Sequence, residues 1–131
     1  MDDHSLLSGK RVLVVEDEML VLMAIEDTLA DLGCTSITVA GSLDKALNLV
    51  KNGSFDLATL DVNLRGQQSY PIATALSERG VPFAFTTGYG EHSVAESHQD
   101  CMVLNKPYTR TQFVAVITAL IEAGRPPALA A

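Results

Sequence analysis

Five short apolar runs alternate with five amphipathic or polar segments along the chain. Short runs rich in valine, leucine and phenylalanine are typical of strands buried on both faces of a parallel sheet, and the segments between them supply crossover helices. The pattern therefore predicts an α/β fold, a doubly wound five-stranded parallel sheet with helices on both faces. The predicted strands are residues 11–15, 35–39, 55–60, 82–86 and 101–104.

The first and last helices are predicted from apolar residues at helical spacing. The first extends from about Glu18 to Gly33, because glycine suits the left-handed conformation that follows many helix ends. The last occupies residues 109–123 and is stopped by Gly124 and Pro126. Their predicted core positions are Leu22, Ile25, Leu29 and Leu32 in the first helix and Phe113, Val116, Ile117 and Leu120 in the last.

The second and third helices are predicted from their ends. Ser42 is a suitable N-cap for the second helix, which stops before Gly53. The third starts after Ser69 with Pro71 in its first turn and reaches only Arg79. The third helix is therefore expected to be short.

Residues 88–100 are poor material for the helix expected between the last two strands. Apart from Tyr89, their apolar content is Val94 and Ala95. Burial of these two side chains contributes about 1.5 to 2.5 kcal/mol, whereas ordering each residue costs about 1 to 2 kcal/mol. We therefore expect a fourth helix that is short or irregular, displaced or mobile.

The composition predicts one globular domain. The chain has 131 residues, of which 47% are hydrophobic and 19% are charged, so it has enough apolar material for a single core. The domain is expected at residues 10–123, between a flexible N-terminus at 1–9 and a tail at 124–131. No attached output domain is expected.

The formal net charge of -7 argues against phosphate-rich partners, since it repels nucleic acid and anionic lipid. No apolar run approaches the roughly 20 residues of a membrane span, and the N-terminus lacks the pattern of a signal peptide. We therefore expect a cytoplasmic protein without nucleic-acid or membrane partners. In that compartment Cys34 and Cys101 are expected to stay reduced and unpaired.

Polar residues follow four of the five predicted strands where each strand ends. Glu16 and Asp17 follow the first strand, Asp61 the third, Thr87 the fourth and Lys106 the fifth. Ligands of an open parallel sheet bind beyond the carboxyl ends of its strands. We therefore expect three carboxylates, a hydroxyl and an ammonium to converge at one edge.

The convergence of three carboxylates favours a bound cation. Two carboxylates about 4 Å apart repel by roughly 4 kcal/mol at an effective dielectric constant of 20. Oxygen ligands favour a hard ion, and Mg²⁺ fits because it needs only one or two carboxylates plus a substrate phosphate. An ionised Asp61 would supply the nucleophile for a phosphoryl group, and Lys106, Thr87 and the metal would balance its charge.

Four segments, in order along the chain, resemble the signature blocks of response-regulator receiver domains. They are VVEDE at 14–18, LDVNL at 60–64, FTTG at 85–88 and NKPY at 105–108. The resemblance covers residues 10–123, and the four blocks together are far more specific than any one of them. It implies a flavodoxin-like fold with strand order 2-1-3-4-5 and a role in phosphorelay signal transduction by a two-component system.

The resemblance assigns roles to the acidic residues. Asp61 is identified as the phosphoacceptor, which receives its phosphoryl group from a histidine kinase or a phosphotransfer protein. Glu16 and Asp17 resemble the acidic pair that holds Mg²⁺, together with Asp61 and the backbone carbonyl of Asn63. Mn²⁺ is expected to substitute for Mg²⁺.

The resemblance also covers the basic end of the site and the first helix. Thr87 and Lys106 resemble the residues that grip the phosphoryl group and report its arrival, and the Lys106–Pro107 peptide is expected to be cis. Receivers use the first helix against the helical bundle of the kinase. Three apolar residues beyond the core positions of that helix either pack against loops or form an adaptable docking surface: Met19, Leu20 and Met23.

Two features depart from the common receiver pattern. Val103 stands where many receivers place a rotating aromatic residue, so Tyr89 is the alternative reporter. Residues 85–88 are similar to the Phe-Ala-Thr-Gly signature of a single-domain subfamily well represented in alphaproteobacteria, with Thr86 in place of its alanine.

Three functions are compatible with these residues. The leading one is a signalling switch that catalyses its own phosphorylation and dephosphorylation but is not a dedicated enzyme. The second is the receiver portion of a hybrid histidine kinase, acting as a phosphate relay. The third is a phosphatase of the haloacid dehalogenase class. Asn63 argues against it, because this class needs a second acid at that position.

Overall fold

The computed structural model describes residues 5–88 and 102–123. Within these residues the chain forms five long parallel strands, four helices and a small hairpin. The long strands are β1 (Arg11–Val15), β2 (Ser36–Ala40), β3 (Leu57–Asp61), β6 (Phe83–Thr87) and β7 (Met102–Asn105). The hairpin consists of β4 (Asn63–Leu64) and β5 (Gln67–Gln68), and the helices are α1 (Met19–Asp31), α2 (Leu43–Asn52), α3 (Tyr70–Glu78) and α4 (Arg110–Ala123).

The long strands form one sheet in the order β2-β1-β3-β6-β7, with every neighbouring pair parallel. Counted without the hairpin, this is the order 2-1-3-4-5 of a flavodoxin-like sheet, so the predicted fold is confirmed. Four strands end one residue later than predicted, because the ladder extends to a polar or small residue at each end. These residues are Ala40, Asp61, Thr87 and Asn105.

The strands alternate their side chains between two apolar layers. In β1, Val12 and Val14 face α1 and α4, whereas Leu13 and Val15 face α2 and α3. All four side chains are buried. Six of the eight predicted core positions of the first and last helices are confirmed as buried, at Ile25, Leu29, Leu32, Phe113, Ile117 and Leu120. The other two, Leu22 and Val116, are partly buried and pack against the same apolar layer.

The predicted helix ends are also confirmed. Ser42 caps α2, since its Oγ accepts the backbone N–H of Lys45 at 3.2 Å. Helix α3 begins after Ser69 with Pro71 in its first turn, and its short length is the predicted one. Gly33 follows α1 with a φ of 90°, the left-handed conformation that favours glycine.

Several expectations concern residues near the limits of the described chain. Leu7 lies in the segment assigned to a flexible N-terminus, yet its side chain is fully buried and its N–H donates to the carbonyl of Leu32 at 2.8 Å. Cys34 is a free, buried thiol, as expected, whereas Cys101 lies outside the described residues. The predicted fourth helix also falls outside them, so α4 denotes the C-terminal helix.

No helix in the described part of the chain is long and apolar enough to cross a membrane.

We expect Leu29→Ala to lower the free energy of unfolding by about 2 to 5 kcal/mol, because it leaves a cavity between α1 and the sheet. Leu29 is fully buried, whereas Leu20 on the same helix is 81% exposed. Leu20→Ala is therefore the matched control, with an expected change within about 0.5 kcal/mol. Urea unfolding followed by circular dichroism measures both, and equal losses would contradict this assignment of the faces of α1.

Candidate functional site

Backbone hydrogen bonds extend the parallel ladder past the ends of the strands. The N–H of Glu16 donates to the carbonyl of Ala40 at 3.0 Å, and the N–H of Lys106 donates to the carbonyl of Thr87 at 2.8 Å. Asp61 is the last residue of β3, the central strand. Because all five strands run in one direction, their carboxyl ends bring these residues to the same edge of the sheet.

Four carboxylates meet at this edge. Within the described residues, oxygen atoms of Glu16, Asp17, Glu18 and Asp61 all lie within 4.8 Å of one another. Glu16 is 2% exposed and Asp61 5% exposed, so both charges are largely removed from water. Sequence reasoning predicted three of the four and missed Glu18, although its position directly after the acidic pair was the available signal.

Lys106 bridges the two buried carboxylates. Its Nζ lies 3.2 Å from Glu16 Oε1 and 3.2 Å from Asp61 Oδ2. Burial alone would lower the pKa of Lys106, but the carboxylates of Asp61 and Glu16 outweigh it and raise that pKa above its ordinary value. Lys106 is therefore a cation at neutral pH.

Burial also makes the two carboxyl groups hold protons more tightly than they would in water. It raises the pKa of Glu16 to about 7, with a further increase from the charge of Asp61. The N–H of Glu18, which donates to Glu16 Oε2 at 3.1 Å, and the ammonium of Lys106 oppose this increase. Burial likewise raises the pKa of Asp61, against the opposing effect of Lys106. The site thus has more negative charge than Lys106 alone stabilises.

The hairpin of β4 and β5 closes one side of the site, and the hydrophobic pattern did not predict it. The N–H of Arg65 donates to Asp17 Oδ2 at 3.1 Å, and the N–H of Gly66 donates to Asn63 Oδ1 at 2.7 Å. The N–H of Asn63 donates to Asp61 Oδ1 at 3.3 Å. The hairpin therefore orients two carboxylates of the cluster. Glycine at the second turn position was the signal for it in the sequence.

A cavity of about 360 Å³ opens at the centre of this arrangement. Its described lining consists of Asp17, Glu18, Asp61, Asn63, Arg65, Gly66, Gly88 and Lys106. A second cavity of about 340 Å³ lies at the opposite edge of the sheet, between the ends of α3 and α4, and its described lining has no charged side chain. The charged chemistry is therefore at the carboxyl edge.

Thr87 lies at the same edge but does not line the cavity in the part of the chain that is described. It is 2% exposed at the end of β6, and its hydroxyl donates to the carbonyl of Gly88 at 3.3 Å. The predicted site residues are therefore brought together, with the Thr87 hydroxyl directed at the backbone beside the cavity.

The donor set fits a hard divalent cation. Its side-chain donors are carboxylate oxygens, which are the ligands that Mg²⁺ and Mn²⁺ prefer. Burial, and after it the charge of Asp61, raises the pKa of Glu16, and a cation at this position would oppose both effects.

The segment after β7 leads from Lys106 to α4. The Lys106–Pro107 peptide is cis, as predicted. Tyr108 then stacks on Phe113 of α4, with 5.8 Å between the ring centroids. Val103, at the position of the common aromatic switch, is 38% exposed.

An exposed apolar surface lies beside the site on the first two turns of α1. It consists of Met19, Leu20 and Met23, which are 69%, 81% and 52% exposed. The alternative in which these residues pack against loops is therefore wrong. We call these three residues the α1 surface.

Comparison with known proteins identifies the family that the four signature blocks resemble. The family model of the response regulator receiver domain matches residues 12–118. The chain is 32% identical to the transcriptional regulatory protein TcrA of Mycobacterium tuberculosis, over 95% of this chain and 52% of TcrA. It is 26% identical to the transcriptional regulatory protein PdtaR of that species, over 82% of this chain and 55% of PdtaR. The chain spans about half the length of these curated relatives.

Solved structures agree with the fold and the family. The solution structure of SdrG from Sphingomonas melonis Fr1 is 41% identical and has a TM-score of 0.77, over 86% of this chain and 96% of SdrG. The BeF3-activated conformation of SdrG is 39% identical and has a TM-score of 0.73, over 87% of this chain and 98% of that one. The family match at residues 12–118 includes the whole edge at which the carboxylates meet. The chain therefore belongs to the response regulator receiver domain family of two-component systems.

Proposed function

We propose that the protein is a phosphoacceptor switch, in which Asp61 receives a phosphoryl group from a histidine kinase or a phosphotransfer protein. The observation that carries this proposal is the contact of buried Asp61 with the Nζ of Lys106, inside a cluster of four carboxylates. A carboxylate must be ionised to act as a nucleophile, and the neighbouring ammonium favours the ionised form. The cavity beside Asp61 supplies the space for a donor.

In the transfer step, a carboxylate oxygen of Asp61 attacks the phosphorus of the donor. A bond forms between that oxygen and phosphorus while the bond from phosphorus to the donor breaks, and the leaving group keeps the electron pair. The leaving atom is a histidine nitrogen in a protein donor and the bridging oxygen in acetyl phosphate. Lys106, which already contacts Asp61 Oδ2, stabilises the phosphoryl oxygens as they arrive.

Glu16, Asp17, Asp61 and the backbone carbonyl of Asn63 would hold Mg²⁺, with Mn²⁺ as a substitute. Bound there, the ion supplies positive charge for the phosphoryl oxygens. The oxygen donors within 4.8 Å of one another support this assignment. The fixing of Asp17 and Asp61 by the hairpin supports it as well, because a metal site needs oriented ligands.

Thr87 is proposed to report the phosphoryl group. Its hydroxyl would exchange the carbonyl of Gly88 for a phosphoryl oxygen, which changes the backbone contact at the start of the segment after β6. Burial of Thr87 supports this, since a buried hydroxyl has few competing partners in water. The other proposed reporter, Tyr89, lies outside the described residues.

The α1 surface is the proposed docking site for the helical bundle that carries the phosphohistidine. It is apolar, exposed and directly follows Asp17 and Glu18 along the chain. Methionine suits a surface that has to adapt to a partner. A donor bound there would present its histidine to the adjacent cavity.

We infer that the protein acts in the cytoplasm as a switch that changes its affinity for a partner protein. Membership of the Phe-Ala-Thr-Gly subfamily is proposed on residues 85–88 alone. The phosphatase alternative lacks its second acid, because Asn63 occupies that position and its Oδ1 accepts the N–H of Gly66.

We expect Asp61→Asn to abolish phosphoryl incorporation from acetyl phosphate, because it removes the nucleophile. The unmodified chain should gain one phosphoryl group, and only with Mg²⁺ or Mn²⁺ present. Intact-mass analysis after brief incubation measures this. Asp56→Asn is the matched control, since Asp56 pairs with Arg11 at 3.2 Å, far from the cavity. Undiminished labelling of Asp61→Asn would contradict the assignment of Asp61 as the phosphoacceptor.

Glu16→Gln is expected to reduce the pH dependence of stability in the metal-free protein. The pKa of Glu16 is about 7 in the folded protein against an ordinary 4.5, so folding favours the protonated form. The free energy of unfolding should therefore fall as the pH rises from 4.5 to about 7. Glu16→Gln should flatten this slope, and Glu78→Gln, at an exposed position of α3, should not.

Thermal unfolding across this pH window measures the slope for all three proteins. Affinity for Mg²⁺ should rise over the same window, because the ion competes with the proton on Glu16. Stability that rises from pH 4.5 to 7, or an affinity that falls, would contradict the role of Glu16.

Leu20→Glu should slow phosphotransfer from the cognate kinase by about tenfold, because truncating or charging an apolar anchor costs 1 kcal/mol or more. Labelling by acetyl phosphate should not change, since that donor does not use the α1 surface. Ala30→Glu adds the same charge at an exposed position near the other end of α1 and serves as the control. Equal slowing by both variants would show that the added charge, and not the loss of an apolar anchor on the α1 surface, slows phosphotransfer.

A further inference from the structure

We propose that Arg65 is a specificity-determining residue for small anionic phosphodonors, which it binds through their phosphate beside Asp61. The inference rests on the proposed phosphoacceptor function. It adds a residue that lies outside the signature block at 60–64. Arg65 was not among the residues that the sequence singled out.

Arg65 brings an unpaired cation to the wall of the acidic cavity. Arg65 is exposed, and it lines the same cavity as Asp61 and Lys106. Its backbone N–H is held by Asp17 Oδ2 at 3.1 Å. Within the described chain and its contacts, the guanidinium has neither a hydrogen bond nor an ion pair. The backbone is therefore anchored to the site while the charge remains available.

The backbone of Arg65 is in a conformation that does not favour arginine. Its φ is 51°, and Gly66 follows with a φ of 87°. Positive φ at both central residues is the mark of a type I′ hairpin turn, which prefers asparagine followed by glycine. Arg65 is the non-glycine residue with positive φ among those described. Asparagine or glycine would form this turn with less strain, so the arginine serves something other than the turn.

The charges that line the cavity indicate why an arginine occupies this position. Its described wall has three carboxylates, from Asp17, Glu18 and Asp61, against two cations. Lys106 is already engaged, at 3.2 Å from Asp61 and 3.2 Å from Glu16. Arg65 is thus the cation of this described wall whose charge is not shared with a carboxylate before an anion arrives. The planar guanidinium also matches two phosphate oxygens at once.

A small donor such as acetyl phosphate brings negative charge to an acidic cavity. Arg65 lowers that repulsion, raises the local concentration of the donor and holds its phosphate beside Asp61. During transfer, the bond from phosphorus to the acetyl oxygen breaks, the bond to Asp61 forms, and acetate leaves with the electron pair. Arg65 exchanges no proton and forms no covalent bond. A protein donor is held by the α1 surface instead and depends less on Arg65.

The test is the second-order rate constant for labelling of the 131-residue chain at saturating Mg²⁺. Arg65→Asn should lower this constant for acetyl phosphate by about 5- to 10-fold. The decrease should be smaller for phosphoramidate, which carries less negative charge at neutral pH. Arg65→Lys should retain most of the rate. The rate of the unmodified chain should also fall more steeply with salt than that of Arg65→Asn.

Two controls separate charge from structure. Arg79→Asn makes the same change of net charge at an exposed position after α3, away from the cavity, and should leave the rate constant unchanged. Arg65→Gly relieves the strain of the turn while removing the charge. It should unfold at the same or a higher temperature than the unmodified chain, and its rate constant for labelling by acetyl phosphate should still be lower.

Equal rate constants for the unmodified chain and Arg65→Asn, with both donors, would overturn the role of Arg65 and leave the proposed function standing. A uniform decrease with both donors and an unchanged salt dependence would also overturn it, because such a decrease reflects a structural effect. Failure of the unmodified chain to take up a phosphoryl group from either donor would overturn both proposals.

Discussion

Lys106 shares one ammonium between the buried carboxylates of Glu16 and Asp61, and the rest of the site depends on these two contacts. Like charges about 4 Å apart repel by roughly 4 kcal/mol at an effective dielectric constant of 20, so two buried carboxylates need a cation between them. The three residues are 45 and 90 positions apart along the chain. The parallel sheet places β1 next to β3 and β7 two strands from β3, and this order brings the three residues within reach of one lysine side chain.

One ammonium does not complete the site. Four carboxylates lie within 4.8 Å, and the pKa of Glu16 stays raised to about 7 in spite of Lys106. The remaining charge explains why the proposed switch needs a divalent cation before it can accept a phosphoryl group, which is itself anionic. It also gives Arg65 its proposed importance, because each cation at the cavity reduces the repulsion that a donor has to overcome.

The surroundings of the site separate its two proposed types of donor. In these proposals a small donor enters the cavity lined by Arg65 of the hairpin, whereas a protein donor docks on the exposed α1 surface. Both features flank Asp17, which precedes α1 and accepts the N–H of Arg65. A single acidic residue thus connects the proposed metal site, the proposed docking helix and the turn, and changes at any of the three are expected to affect the others.

The strands themselves and the identity of the acidic edge were predictable from local patterns in the sequence, whereas the order of the strands was expected only from the resemblance to receiver domains. Apolar runs such as those of β1 and β3 mark strands, and in a parallel sheet every residue that follows a strand comes to the same edge. Helix ends at Ser42 and Pro71 were predictable for the same reason, since capping involves residues that are neighbours along the chain.

Tertiary structure alone decided which of these residues touch, because such contacts depend on residues far apart in sequence. It joined Lys106 to both Glu16 and Asp61, exposed Met19, Leu20 and Met23, buried Leu7 against Leu32, and tied the hairpin to Asp17. The pattern of apolar residues predicts which side chains are buried. It does not state which partner each one meets, since that follows from the packing of helices on the finished sheet.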